Sequence, residues 1–226
     1  MTIKLSDYVF RFVAGLGVKH VFEVTGGGAM HLNDSLGATP GLEYVCTLHE
    51  QAAAMAAESY AKVTNDLGVC LVTAGPGGTN ALTGVAGAWL DSTPMLVLSG
   101  QAKRADLKGA TGVRQMGVQE VDIVAMAAPI TKYAVTVTEP TEIRYHLEKA
   151  VYLARTGRPG PVWLDLPLDV QGATIDDTTL RGFIPGPADM PEPVPPATLK
   201  RSVRQAIALL NAAERPVVLV GNGVRL

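Results

Sequence analysis

Short apolar runs alternate with segments of helical periodicity along about the first 170 residues of the chain. The runs Val69-Cys70-Leu71-Val72 and Met95-Leu96-Val97-Leu98 contain no polar position. Strands that are apolar on both faces are typical of a parallel sheet covered by helices on each side. The pattern therefore predicts a doubly wound α/β fold with a mostly parallel sheet and helices on both faces.

The elements follow one another as strand and helix in alternation. Strands are predicted at residues 20–24, 44–48, 69–73, 95–99, 133–137 and 162–166. Helices are predicted at residues 6–16, 30–36, 79–90, 119–127 and 141–155, with a further helix that begins at Glu50. The helix at 141–155 has clear end signals, because Pro140 suits a first helical turn and Gly157 suits a helix end.

The composition changes after residue 172. Six prolines between residues 185 and 196 indicate a semi-extended connector. We therefore predict a first domain at 1–172, a Pro-rich linker at 173–197 and the beginning of a second α/β domain at 198–226. That last segment has one predicted helix, 199–211, and one predicted strand, 216–220, which cannot bury a core by themselves. The second domain is thus expected to be incomplete.

Composition and charge exclude several functional classes. With 47% apolar residues and a formal charge of −2, the chain has the profile of an ordinary globular protein. No basic run suggests nucleic acid, no apolar stretch reaches membrane-spanning length, and the first residues do not resemble a signal peptide. Cys46 and Cys70 fall inside predicted core strands. They are expected to be buried, reduced thiols, as in a cytoplasmic protein.

The stretch His49-Glu50-Gln51 joins the predicted strand 44–48 to an alanine-rich helix. An acid in the first turn of a helix can simply stabilise the helix dipole. However, the helix behind Glu50 is small and apolar, so one of its faces is expected to lie against another surface. A carboxylate held at a largely apolar interface can also share a proton with a heterocyclic nitrogen. Glu50 is therefore the first candidate for a functional residue.

Three predicted strands end in glycine-rich turns, namely Thr25-Gly26-Gly27-Gly28, Ala74-Gly75-Pro76-Gly77-Gly78-Thr79-Asn80 and Ser99-Gly100-Gln101. Such glycines can be needed for the turns alone, or can let a ligand approach the backbone. In open parallel sheets, ligands bind beyond the carboxyl ends of the strands, so the turns and Glu50 are expected to share one edge.

None of these turns has the pattern of a phosphate-binding loop. The sequence lacks G-x-x-x-x-G-K-[ST], and it lacks a G-x-G-x-x-G that leads a helix with an acid placed for ribose. It also lacks a clustered set of His, Cys and Asp residues. We therefore predict no metal ligands in this chain and nothing suited to hold a diphosphate with its magnesium.

Several motifs in order resemble the N-terminal pyrimidine-binding domain of thiamine-diphosphate enzymes. They are His49-Glu50-Gln51-Ala52-Ala53, Gly75-Pro76-Gly77-Gly78-Thr79-Asn80, Asp91-Ser92-Thr93-Pro94-Met95, Gly157-Arg158-Pro159-Gly160-Pro161-Val162 and Asp165-Leu166-Pro167-Leu168-Asp169. The branch they are most similar to is the acetolactate synthase-like one. The resemblance covers essentially the whole chain, and residues 216–223 are similar to the first strand of that family's central domain.

The resemblance implies roles for individual residues. Glu50 would hydrogen-bond the pyrimidine ring of thiamine diphosphate and activate the cofactor. Gly26 and Gly27 would lie beside the reacting carbon, with Gly77 and Asn80 near the pyrimidine pocket.

For two further residues, an ordinary structural role is an alternative to the role that the resemblance implies. Gln119 would face the substrate, but it could equally cap the predicted helix that starts there. Arg158 matches a position that contacts FAD in the flavin-containing branch, but it could be a surface arginine in a Pro/Gly turn.

The implied reaction is decarboxylation of a 2-keto acid, such as pyruvate, and addition of the acyl unit to a second carbonyl. A decarboxylase or oxidase of the same family, and a non-catalytic assembly subunit, are the alternatives. The loop 102–117 differs from acetolactate synthases: it is longer, carries four basic residues and places Val118 before Gln119. This suggests a different or larger acceptor, such as a ketone or keto-sugar, although the charges could also be merely solvated.

The family holds the diphosphate and Mg²⁺ on a C-terminal domain with a Gly-Asp-Gly and Asn-Asn motif, which this chain lacks. The resemblance therefore implies a homo-oligomer (dimer or tetramer) of a longer polypeptide, or a complementary chain that carries the missing half.

Overall fold

The computed structural model describes residues 2–190 and 194–225, and the chain divides into two compact units, Met1–Pro185 and Gly186–Leu226. Part of the predicted linker, residues 191–193, lies outside the described residues. No helix within the two described ranges has both the length and the apolar character needed to cross a membrane.

The first unit is built on a six-stranded parallel sheet with the strand order β3-β2-β4-β5-β7-β6. A separate antiparallel pair joins β1 to β8. In chain order the strands are β1 Thr2–Lys4, β2 His20–Glu23, β3 Glu43–Cys46, β4 Gly68–Val72, β5 Met95–Gln101, β6 Tyr133–Thr136, β7 Pro161–Pro167 and β8 Thr174–Asp176. After β2 the chain adds β3 on one side of it and β4 on the other, so the strand order reverses between β2 and β4. Open α/β sheets bind ligands at such a switch point.

Helices cover both faces of the large sheet. They are α1 Leu5–Gly15, α2 Met30–Ala38, α3 Glu50–Thr64, α4 Pro76–Leu90, α5 Ile123–Ala127, α6 Ile143–Arg155 and α7 Leu168–Gln171, and the second unit contains α8 Pro196–Ala212. One apolar core lies beneath α1, α2 and α6, and the other beneath α3, α4 and α5. The predicted α/β fold with a parallel sheet covered on both faces is thus confirmed.

Helix α4 begins at Pro76, three residues before the predicted start at residue 79. Proline is well suited to the first turn because its missing N–H would have no partner there. The residue before it, Gly75, has a φ of +60°, which a side chain at that position would disfavour. The glycines that the sequence analysis assigned to a turn therefore belong partly to the first turn of a helix.

The predicted helix 119–127 is wrong in its first half, since α5 begins at Ile123. The carboxylate of Asp122 accepts a hydrogen bond of 3.0 Å from the backbone N–H of Ala125 and so starts the helix there. Gln119 has a φ of +57° and lies in a turn before the helix. It is therefore not a helix cap.

The strand predicted to be buried at 44–48 is instead the edge strand β3, in which all four residues are exposed. It pairs with β2 alone among the described strands, so one side of it has no neighbour. As a result Cys46 is exposed, contrary to the prediction, whereas Cys70 in the central strand β4 is buried as expected.

The end of the first unit and the second unit also differ from the sequence prediction. Residues 174–176, which we assigned to the linker, form β8 and pair with β1. In the second unit α8 forms at the predicted place, but residues 216–220 do not form a strand. Their apolar side chains are largely exposed, and no other strand is described in that unit to pair with them. That this segment begins a second domain stays a prediction.

Candidate functional site

The first two glycine turns meet at Thr73, which follows β4. The backbone N–H of Gly28 donates a hydrogen bond of 3.0 Å to Oγ1 of Thr73. A Cβ at Gly26 would lie only 2.5 Å from the Cβ of Thr73, and a Cβ at Gly77 would lie 2.7 Å from its Cγ2. These glycines therefore allow two backbone turns to pack on one threonine side chain. Thr73 stands at the end of an apolar run and was not predicted as a site residue.

Glu50 is the first residue of α3, and its half-buried side chain is not needed to cap the helix. The ring nitrogen Nδ1 of His49 accepts a hydrogen bond of 3.1 Å from the backbone N–H of Gln51 and fills that role. The carboxylate of Glu50 instead accepts a hydrogen bond of 2.9 Å from Nδ2 of Asn80 on α4. Its other oxygen, Oε1, lies 3.5 Å from where a Cβ at Gly77 would be. Three of the predicted site residues thus lie together.

Helices α3 and α4 approach closely because small residues face each other. A Cβ at Gly84 would lie 2.6 Å from the Cβ of Ala54 and 2.8 Å from the backbone nitrogen of Met55. Both Ala53 and Ala57 on the same helix are fully buried. This packing brings the N-terminal parts of the two helices side by side, where Glu50 is the first residue of α3 and Asn80 is the fifth of α4.

Gln119 reaches the same edge of the sheet from the loop after β5. A side chain at Gly75 would overlap the backbone carbonyl of Gln119, so the two residues are in close contact. Both have positive φ, of +60° and +57°. Gln119 and Gly27 line one pocket of about 280 Å³, together with Gly28, Met30, Lys103 and Val118. The predicted residues Gly27 and Gln119 therefore share a pocket.

The predicted turn Ser99-Gly100-Gln101 is instead the end of strand β5, which pairs with β7 through Gln101, and it contacts the first glycine turn directly. A side chain at Gly100 would overlap the backbone of Gly28. From the other side, Nε2 of Gln171 donates hydrogen bonds of 2.7 Å to the carbonyls of Gly28 and Leu166. The first two glycine turns and the end of β5 therefore lie on one edge of the sheet, at the carboxyl ends of β2, β4 and β5.

A buried carboxylate, which the sequence analysis did not assign, lies behind this edge. Asp165 in β7 is 1% exposed and accepts hydrogen bonds from Ser99 Oγ, Gln101 Nε2 and Thr136 Oγ1 at 2.6 to 3.1 Å. Burial raises the pKa of Asp165 to about 6, although these hydrogen bonds act in the opposite direction. The available signal was an acid within the otherwise apolar run 161–166.

Arg158 does not lie with the other predicted residues. It precedes β7, and its Nε donates a hydrogen bond of 2.6 Å to Oγ of Ser92, which precedes β5. Because both are at the amino ends of parallel strands, Arg158 lies at the opposite edge of the sheet from Glu50. It lines a pocket of about 340 Å³ with Trp89, Leu90, Lys132 and Pro159.

Within the ranges that the structure describes, no group of three or more His, Cys, Asp or Glu residues is arranged to hold a metal ion. Glu50 and Asn80 offer a carboxylate beside an amide at this edge, next to the first turn of α4 that contains Gly77. Such an arrangement suits a planar, nitrogen-containing ring that can share a proton with Glu50.

Comparison with known proteins identifies the family. Residues 3–126, more than half of the chain, match the model of the thiamine pyrophosphate enzyme N-terminal TPP binding domain. The acetolactate synthase large subunit of Lactococcus lactis subsp. lactis (strain IL1403) is 36% identical over 222 residues, which cover 97% of this chain and 36% of that protein.

Two further relatives give a similar picture. The acetolactate synthase large subunit of Corynebacterium glutamicum is 39% identical over 96% of this chain and 33% of its own length. The acetolactate synthase isozyme 3 large subunit of Escherichia coli (strain K12) is 38% identical over 96% of this chain and 37% of its own length. The chain thus spans about a third of the length of these relatives. It belongs to the family of thiamine pyrophosphate enzymes and matches the N-terminal part of acetolactate synthase large subunits.

Proposed function

We propose that this chain is the pyrimidine-binding part of an enzyme that uses thiamine diphosphate for carboligation. In this reaction a 2-keto acid, with pyruvate as the first candidate, loses carbon dioxide and its acyl unit is added to a second carbonyl compound. The observation that carries the proposal is the position of Glu50. Its carboxylate lies at the switch point of the sheet and is held by Asn80 rather than used as a helix cap.

The residues around Glu50 fit the pyrimidine end of the cofactor. Glu50 would hold a proton at a ring nitrogen, and the hydrogen bond from Asn80 would fix the orientation of the carboxylate. Gly26 and Gly77 let their backbone turns pack closely on Thr73 beside Glu50. A side chain at Gly27 would meet no atom within 4 Å, so a ring could approach the backbone there. When bound, thiamine diphosphate supplies the carbanion chemistry of decarboxylation and C–C bond formation.

The pocket that contains Gly27 and Gln119 is our candidate for the substrate site. Gln119 would donate a hydrogen bond to a carbonyl or carboxylate of the substrate. Of the basic residues in the adjoining loop, Arg104 is paired with Asp169 at 2.7 Å, so its charge is used within the chain. Lys103 lines the pocket itself. A keto acid, a ketone or a keto-sugar is the proposed acceptor, and a lysine at the rim favours one that carries an anionic group.

The remaining parts of the enzyme must come from outside this chain. Mg²⁺ and the diphosphate would be held by a C-terminal half, on the same longer polypeptide or on a complementary chain. A homo-oligomer, dimer or tetramer, would place one subunit's Glu50 opposite another's diphosphate site. We also propose the pocket of Arg158, Trp89 and Lys132 as the place where this chain would contact FAD, since it offers an aromatic ring and two cations.

The test uses the purified enzyme that contains this chain, supplied with thiamine diphosphate, Mg²⁺ and pyruvate labelled with ¹³C. Mass spectrometry of the particle under denaturing conditions would identify the accompanying polypeptide and any released FAD. NMR of the products would then distinguish the outcomes. A labelled carboligation product supports the proposal, whereas free aldehyde indicates a decarboxylase and reduction of an added electron acceptor indicates an oxidase. The absence of any turnover would support an assembly subunit.

A further inference from the structure

A second buried carboxylate organises the loop between β5 and α5. The side chain of Glu120, which is 8% exposed, accepts hydrogen bonds from three backbone N–H groups of this loop. Lys108 donates at 2.7 Å to one carboxylate oxygen, while Met116 and Gly117 donate at 3.0 and 3.1 Å to the other. The donors are separated along the chain by up to nine residues, so one side chain holds both ends of the segment 108–117 within this loop.

The loop is closed against the domain at the same place. A side chain at Gly117 would overlap the Cβ of Ala102, so the end of the loop packs on its beginning. Nε2 of Gln115 also donates a hydrogen bond of 2.9 Å to the carbonyl of Gly117. Burial by itself would raise the pKa of Glu120, but the N–H donors of Met116, Lys108 and Gly117 outweigh it, and the pKa lies below its ordinary value. Glu120 is therefore ionised at neutral pH.

The residue next to this carboxylate is Gln119, whose backbone conformation is unfavourable. Its φ of +57° lies in the left-handed region, which is strained for a residue other than glycine. Two contacts hold it in this conformation, namely the close approach to Gly75 on one side and the hydrogen bonds of Glu120 on the other. The conformation turns Gln119 toward the pocket that it shares with Gly27.

We propose that Glu120 is a positioning residue that holds the loop 102–122 closed and thereby places Gln119 in the substrate pocket. The inference rests on the proposed function only for the role of Gln119, since the closed loop itself can be tested without turnover. Glu120 is not among the residues that line the pocket of Gly27 and Gln119, and its described hydrogen bonds are to loop backbone. Its effect on the reaction would therefore pass through Gln119.

The first experiment is limited trypsin digestion of the full enzyme, because the loop contains cleavage sites after Lys108 and Arg114. Glu120→Gln leaves one oxygen for three N–H donors, so we expect cleavage at these two sites to become at least about tenfold faster. Asp106→Asn is the matched control. It makes the same acid-to-amide change in the same loop, but its carboxylate accepts no hydrogen bond among those described. Equal cleavage rates in Glu120→Gln and the unmodified enzyme would overturn the inference.

The second experiment separates positioning from general stability. In the active enzyme, Glu120→Gln should raise KM for the keto acid about tenfold with a smaller change in kcat. Combined with Gln119→Ala, it should add nothing further, because Glu120 acts through that residue. Effects of the two substitutions on kcat/KM that multiply would contradict the proposal. If the variant is cleaved throughout the chain, Glu120→Asp replaces it in both experiments. If the unmodified enzyme forms no product, the proposed function fails, and the digestion still decides whether Glu120 holds the loop.

Discussion

The side-chain amide of Asn80 donates a hydrogen bond of 2.9 Å to Oε2 of Glu50, and both residues lie near the N-terminal ends of adjacent helices. The bond occupies one carboxylate oxygen and fixes the plane of the group. The other oxygen faces the glycine backbone at Gly77. A ligand at this edge therefore meets an oriented proton acceptor, which is what general acid–base chemistry requires.

Glu50→Gln should abolish most of the turnover while it leaves the fold intact. The amide has nearly the same shape but cannot share a proton with a ring nitrogen, so we expect kcat to fall by about 10² to 10⁴. The measurement is steady-state turnover of the complete enzyme, with circular dichroism as a check of folding. Glu43→Gln, the same exchange on the exposed strand β3, should leave turnover unchanged. Full activity of the Glu50 variant would remove the basis of the proposed function.

Replacement of Asn80 tests the hydrogen bond itself. Asn80→Leu removes the donor and leaves a carboxylate oxygen of Glu50 unpaired in a half-buried position, which should lower kcat/KM about tenfold. Asn80→Asp should be more damaging, because it places a second carboxylate within hydrogen-bonding distance of the first. The kcat/KM of each variant is measured from initial rates at varied concentrations of thiamine diphosphate. If the leucine and aspartate variants behave alike, charge at this position is unimportant.

Gly77→Ala should disturb the site through contact with Thr73. The new methyl group would lie 2.7 Å from Cγ2 of Thr73, so one of the two must move. We expect a loss of about 1 to 3 kcal/mol in unfolding free energy and weaker cofactor binding. Thr73→Ser removes only that methyl group and keeps the hydroxyl that binds the N–H of Gly28. The double variant should therefore regain much of the lost stability in chemical unfolding, and a failure to do so would place the conflict elsewhere.

Asp165→Asn should change how the stability of the first unit depends on pH. The pKa of Asp165 is about 6 in the folded protein, above the ordinary value of 3.8, so the folded state binds this proton more tightly than the unfolded state. Stability from this group is therefore greatest at low pH and is lost as the pH rises through about 6. Between about pH 7 and pH 5, the unmodified protein should gain on the order of 1 kcal/mol relative to the variant. Denaturant unfolding at both pH values measures the gain, and parallel pH profiles would contradict it.

The periodicity of the sequence was sufficient to predict the fold, but it did not predict which strand lies at the edge of the sheet and is exposed to solvent. Uniformly apolar runs predicted the central strands β4 and β5, which are buried at every position. The apolar run 44–48 looked similar, yet it forms the edge strand β3 with exposed side chains. Strand order depends on contacts between distant segments, which local periodicity does not contain.

The candidate site could be predicted in part from single residues at the ends of strands. Glu50, Gly77 and Asn80 were expected near one another, and the structure brings them into contact. Thr73 and Glu120 were missed, because their roles come from hydrogen bonds to backbone groups many residues away. Such bonds appear only once the loops have folded.

The contact of Gly84 with Ala54 has a consequence for how this domain can change through mutation. The two residues carry no reactive group, yet they set the spacing between the helices that present Glu50 and Asn80. A single added methyl group at either position would widen this spacing and separate the acid from its amide. Substitutions that look conservative in the middle of α3 and α4 would therefore act at a distance on the position of Glu50. The proposed role of this carboxylate would thus limit which residues the two helices can accept far from Glu50 itself.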